Sequence, residues 1–176
     1  FVSSLKPRLK KCGIGYDQAQ RHELRILTVE DFGTKGLTGP TPAPAVALNQ
    51  EEKANDDGAE ENFRKFWRKE GDSDSEESKR GDSVGRWGLG KTTFHMSSNI
   101  RGFWGHTVRS TDGKEMVLGK TVLQPHTVRD PKDGIEKRWD YAGIFGDSEL
   151  KPIQNSEYLE KFRETFNISR KSNDPG

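Results

Sequence analysis

The sequence predicts an α/β protein, a two-layer sandwich in which a mostly antiparallel sheet is covered on one face by helices. Three observations lead there. Two β-suited runs, residues 100–109 and 115–123, flank Ser110, Thr111, Asp112 and Gly113, and an Asp-Gly step tolerates the positive φ that a tight hairpin turn needs. Segments with helical spacing alternate with segments rich in β-branched and aromatic residues. Composition allows one modest core: of 176 residues 30% are hydrophobic and 19 are glycine, so part of the chain must be solvated loop.

In chain order, residues 5–12 followed by Gly13 read as the end of a helix. Leu24, Ile26, Leu27, Thr28 and Val29 form an apolar, β-branched run suited to a buried strand. Next comes a separate compositional zone. Pro40, Pro42 and Pro44 remove donors and hold φ, which favours an extended connector. Residues 71–83 contain no apolar side chain and cannot offset their own ordering entropy, so mobile flanks are expected. Between the flanks, Phe63, Phe66 and Trp67 fall at i, i+3 and i+4 with Gly71 as a stop, the pattern of a short amphipathic helix that must dock somewhere. Beyond the zone, residues 91–99 suit a helix and residues 139–146 a further short strand. Ser156 is placed to cap a last helix, in which Leu159, Phe162 and Phe166 recur at helical spacing and Glu157 and Glu160 occupy the first turn.

Charge and cysteine content narrow the function classes. The net charge is only +1, which gives no global basic field, while residues 49–83 hold 12 acidic and 7 basic residues. Arg64, Lys65, Arg68 and Lys69 stand among those acidic neighbours, which argues against nucleic acid as a partner. No apolar run approaches the ~18–20 residues that cross a bilayer, and the first residues lack the order of a signal peptide. One cysteine, Cys12, allows no internal disulfide or thiolate metal site, so a cytoplasmic location fits. His22, His106 and His126 show no ligand spacing, and no side-chain metal site is proposed; His95, one helical turn after Gly90, suits an ordinary surface or core histidine better than a phosphate contact.

Two glycine boxes carry the chemistry. Gly85 to Thr92 satisfies the G-x-x-x-x-G-K-[ST] phosphate-loop pattern, with Lys91 and Thr92 as its phosphate and magnesium residues. Such a loop must leave a buried strand, yet residues 73–84 are charged and nearly devoid of apolar side chains. Asp31, Phe32 and Gly33 spell a kinase triplet without the companion motifs a kinase needs. Asp31 with Gly33 and Gly36 also suits an ordinary strand-to-loop turn.

Taken together, Asp31-x-Gly33-x-x-Gly36, a long irregular segment, then Gly85-x-x-Gly88-x-Gly90 opening a helix before two antiparallel strands, resemble the GHKL ATPases, the group of gyrase, heat-shock chaperone, histidine kinase and MutL. The likeness spans residues 24–123 and is similar in detail to a bacterial branch of that group. It implies a Bergerat-like sandwich that binds ATP with Mg2+. Asp31 would accept the adenine amino group, an acceptor-only carboxylate facing a donor. Gly33 and Gly36 would let the backbone approach the base and ribose. Residues 37–84 would be a lid, and Gly85, Gly88 and Gly90 would expose N–H groups to phosphate, with Lys91 and Thr92 at the start of the next helix. Lys35 stands at the family's second glycine position and Gly36 one residue late, which requires a different turn.

The family's helix with a water-activating Glu and a magnesium-holding Asn has no match in residues 1–24 and is expected before Phe1, with a further strand after Gly176. On this reading residues 1–176 are a partial domain, hydrolysis belongs to the full-length protein, and lid closure couples nucleotide to a second copy or another protein. The rival class is a non-catalytic scaffold that recruits a partner through the Phe63, Phe66 and Trp67 helix.

Overall fold

The computed structural model describes residues 5–15, 25–41, 62–67, 92–130 and 133–169. Its helices are α1 (Lys6–Lys11), α2 (Asn62–Trp67), α3 (Thr92–Met96) and α4 (Ser156–Phe166); its strands are β1 (Gly102–Val108), β2 (Glu115–Val122), β3 (His126–Arg129), β4 (Glu136–Trp139) and β5 (Ala142–Phe145). Mixed helices and antiparallel sheets make this an α/β fold. One sheet has the order β1-β2-β5, and β3 pairs with β4 in a second.

The Asp-Gly turn does what its chemistry requires. Gly113 has φ +66°, its N–H donates to the Arg109 carbonyl at 2.9 Å, and the Lys114 N–H donates to Asp112 Oδ1 at 3.2 Å. This turn sets the β1–β2 register, in which Thr107 lies opposite Met116, Gly105 opposite Leu118 and Phe103 opposite Lys120. Because side chains alternate along a strand, those residues share one face. On it, Met116 and Leu118 form a buried cluster with Phe63 and Trp67 of α2. Val117 and Trp104 point the other way, onto Leu159, Phe162 and Phe166 of α4. A third cluster joins Leu5, which precedes α1, and Leu9 within it to Leu123, with Phe145 packed against it.

Helices therefore cover both faces of the three-stranded sheet, not one as expected. Strand β2 is the reason: six of its eight residues are buried, and both of its faces are apolar enough to need cover.

Other expectations shift as well. The run from Leu24 to Val29 is not a strand in its described part: residues 25–32 have no regular structure, and Ile26, Leu27 and Val29 are 50%, 85% and 74% exposed. The expected strand 139–146 is divided, because Trp139 ends β4 while Ala142–Phe145 crosses to pair with β2. Strands β3 and β4 were not expected at all. Every second residue there is exposed, and their hydrogen bonds to each other supply what the apolar pattern lacks. Helix α3 ends at Met96, short of the expected residue 99. Helix α4 is capped by Asn155, whose side-chain oxygen accepts from the Tyr158 N–H at 3.0 Å, leaving Ser156 as the first helical residue. No helix among the described residues is long and apolar enough to cross a membrane.

Candidate functional site

The first glycine box is a built turn. Gly33 and Gly36 both adopt the left-handed conformation, with φ +73° and +71°. At Gly36 an added Cβ would run into the Val108 carbonyl oxygen and stand 2.9 Å from Thr107 Oγ1, so only glycine fits against β1. At Gly33 nothing lies within 4 Å of that position, and the surface there is open to an approaching group. Asp31 is exposed beside it.

The loop is held by the end of the β1–β2 hairpin. Thr107 Oγ1 accepts from the Leu37 N–H at 3.0 Å. The Ser110 N–H and hydroxyl both donate to the Lys35 carbonyl, at 3.0 and 3.1 Å. Arg109 donates to the Gly39 carbonyl at 2.9 Å and pairs with Asp112 at 2.9 Å, which ties the chain three residues beyond the box to the hairpin turn. Buried Thr38 extends the chain of contacts: its carbonyl accepts from the Phe63 N–H at 2.8 Å and its hydroxyl from Asn62 Nδ2 at 3.1 Å. Those bonds satisfy groups at the start of α2, which have no partner inside the helix. Sequence reasoning missed Thr38, Thr107, Arg109 and Ser110, because pairing across 24 to 75 positions leaves no local signal.

Of the second box, Gly85, Gly88, Gly90 and Lys91 lie outside the described residues, as do the expected lid residues other than 37–41 and 62–67. Thr92 is described, half-buried at the first position of α3. Two residues on, Phe94 stacks on Phe103 with ring centroids 5.4 Å apart. Phe103 and Thr107 face the same side of β1. The loop from Asp31 to Gly39 and the helix that follows the second box are thus anchored on one face of one strand. Phe63 and Trp67, 1% and 2% exposed, are packed into that face. A phosphate-loop fold needs a parallel βαβ unit, whereas every pairing among the described strands is antiparallel.

On the opposite face, a cavity of about 350 Å³ is lined by Lys114, Glu115, Gln154, Ser156, Leu159 and Arg163. Its Glu115 and Arg163 pair with each other. Glu115 Oε1 accepts from His106 Nε2 at 2.7 Å and from Arg163, and the His106 and Glu115 side chains are only 5% and 10% exposed. This cluster ties α4 to β1 and β2 and is structural. Among the described residues no group of three His, Cys, Asp or Glu is placed to hold a metal ion. Cys12 is half-buried just after α1 and donates to the Gln124 carbonyl at 3.7 Å, a packing role. No family model, curated protein or solved structure matches this chain.

Proposed function

We propose that this chain binds ATP as the nucleotide-binding part of a GHKL-type ATPase of Bergerat-like fold. The observation that carries the reading is the loop from Asp31 to Gly36. Two left-handed glycines bracket a turn that the hairpin holds rigid, one pressed on β1 and the other open to solvent beside a carboxylate. A rigid backbone edge next to an acceptor-only side chain suits recognition of a flat base that carries an exocyclic amine.

In this reading Asp31 accepts the adenine amino group and Gly33 lets the ring lie against the backbone. Gly85, Gly88 and Gly90 direct N–H groups at the phosphates, with Lys91 as a nearby cation and Thr92 entering the helix that fixes the box. Magnesium would arrive on the phosphates and offset their charge. The residues themselves act by positioning and by charge stabilisation of the transferring phosphoryl group, with water as nucleophile. Hydrolysis would further need a carboxylate to orient that water, a role this reading assigns to none of these residues.

Calorimetric titration of the protein with ATP tests the reading. Asp31→Asn keeps the shape but turns one acceptor into a donor that faces the adenine donor, a mismatch of about 1–3 kcal/mol. ATP binding should weaken at least tenfold. Equal affinity of the two forms removes Asp31 from base recognition, and absence of binding to either overturns the nucleotide reading as a whole.

A further inference from the structure

Helix α4 ends in a turn whose geometry is fixed. Asn167 is left-handed at φ +48°, its N–H donates to the Glu164 carbonyl at 3.3 Å, and the Ile168 N–H donates to the Arg163 carbonyl at 2.9 Å. These two bonds close a Schellman motif and satisfy carbonyls that the last turn of a helix leaves without a partner. Ile168 packs against the cluster of Val117, Leu159 and Phe162. The place of Ser169 is thereby set by the helix and by the sheet beneath it.

From there Ser169 reaches a residue 139 positions earlier. Its N–H and its hydroxyl both donate to the Glu30 carboxylate, at 3.1 and 3.0 Å. Near Glu30, Thr28 Oγ1 donates to the Phe166 carbonyl at 3.3 Å. Residues 25–32 have no regular structure, so neither a helix nor a strand ladder fixes where their side chains stand. The end of α4 holds Thr28 and half-buried Glu30, and the β1–β2 hairpin holds the chain at Lys35 and Gly39. Exposed Asp31 lies between these two anchors, directly after Glu30.

We infer that Ser169 is a positioning residue of the base site: by holding Glu30 it fixes the neighbouring Asp31 carboxylate, and so sets the preference for a purine that carries an exocyclic amine over one with a carbonyl at the same ring position. The inference rests on the nucleotide reading and adds to it a residue remote in sequence. A carboxylate accepts from an amine and repels a carbonyl oxygen, but it discriminates only while its position is fixed; a loose one turns away from the carbonyl at little cost. Fixing it beforehand also removes ordering that binding would otherwise require. Of the two contacts with α4, the one at Glu30 is the stronger handle, because bonds to an ionised acceptor are the strong kind and Glu30 receives two. Asp31 keeps room for the amine beside contacts within the chain, since an ionised carboxylate offers about four acceptor sites.

Calorimetric titration of the protein with ATP and, separately, with inosine triphosphate, which has a carbonyl in place of the amine, tests the inference. The parent should prefer ATP. Ser169→Ala should weaken ATP by about threefold or more and leave inosine triphosphate unchanged or tighter, so that the preference narrows. Loss of packing alone would weaken both nucleotides alike. Ser169→Thr, which keeps the hydroxyl, should bind as the parent does. Nitrogen relaxation without nucleotide should show lower order parameters at the Glu30 and Asp31 amides of Ser169→Ala. A parent that prefers ATP, beside an alanine variant with the same preference or unchanged order parameters, overturns the role of Ser169 alone. A threonine variant as impaired as the alanine variant does the same. A parent that binds neither nucleotide, or both equally, overturns the nucleotide reading and this inference with it.

Discussion

Gly105 lies directly beneath the indole of Trp67: a Cβ at position 105 would stand 2.8 Å from Trp67 Cζ2. That indole is also stacked flat on Phe103, with centroids 5.2 Å apart and planes 4° from parallel. Helix α2 approaches the sheet as closely as it does because β1 offers no side chain at this point.

Gly105→Ala should therefore overpack the α2 cluster and destabilise the chain by about 1–3 kcal/mol. Denaturant unfolding followed by tryptophan fluorescence reads this out, together with an altered near-ultraviolet spectrum from the Trp67 and Phe103 stack. An alanine variant as stable as the parent would mean that α2 is not seated there.

The two glycines of the first box should respond unequally to alanine. Gly33→Ala meets only the backbone cost of a left-handed residue, roughly 1–2 kcal/mol. Gly36→Ala adds collision with the Val108 carbonyl, a main-chain atom that cannot rotate aside, and should cost at least ~1 kcal/mol more. Hydrogen exchange at the Leu37 and Ser110 amides should rise only in the Gly36 variant. Equal loss at both positions would contradict the docking of this loop on β1.

Glu115 joins two elements, since it accepts from His106 on β1 and from Arg163 on α4. Glu115→Gln retains one acceptor and loses the charge, with an expected destabilisation of about 1.5–3 kcal/mol. Glu115→Gln and Arg163→Gln act through one contact, so the double variant should lose clearly less than the sum of the two. Strict additivity would show that the pair contributes nothing.

Acid should loosen the β3–β4 hairpin in a defined way. The Lys137 ammonium, bonded to Asp133 Oδ2 at 2.7 Å, and next the Ile135 N–H hold the Asp133 carboxyl below its ordinary range. A depressed carboxyl stabilises the fold above the unfolded value of about 3.9 and loses that contribution as pH falls through the folded value. Lys137→Met should move the Asp133 titration upward in a carbon-detected carboxyl experiment. An unmoved midpoint would mean that the ammonium is not its main partner.

Sequence alone determined the local elements whose signals are contained within a few residues. The Asp-Gly hairpin, the α2 pattern and the Leu159, Phe162 and Phe166 face of the last helix all stand where spacing placed them, because turn chemistry and side-chain periodicity act over three to seven positions. Tertiary structure decided the rest. Whether residues 24–29 would be a buried strand depended on a neighbour to pair with, and no local propensity supplies one. Strands β3 and β4 were illegible because each satisfies the other's hydrogen bonds while presenting a half-exposed, charged surface. The clamp on the glycine loop by Thr107, Arg109 and Ser110 joins residues about 70 positions apart, and β2 is buried by one helix far before it and another far after it, so only a folded chain brings either set together.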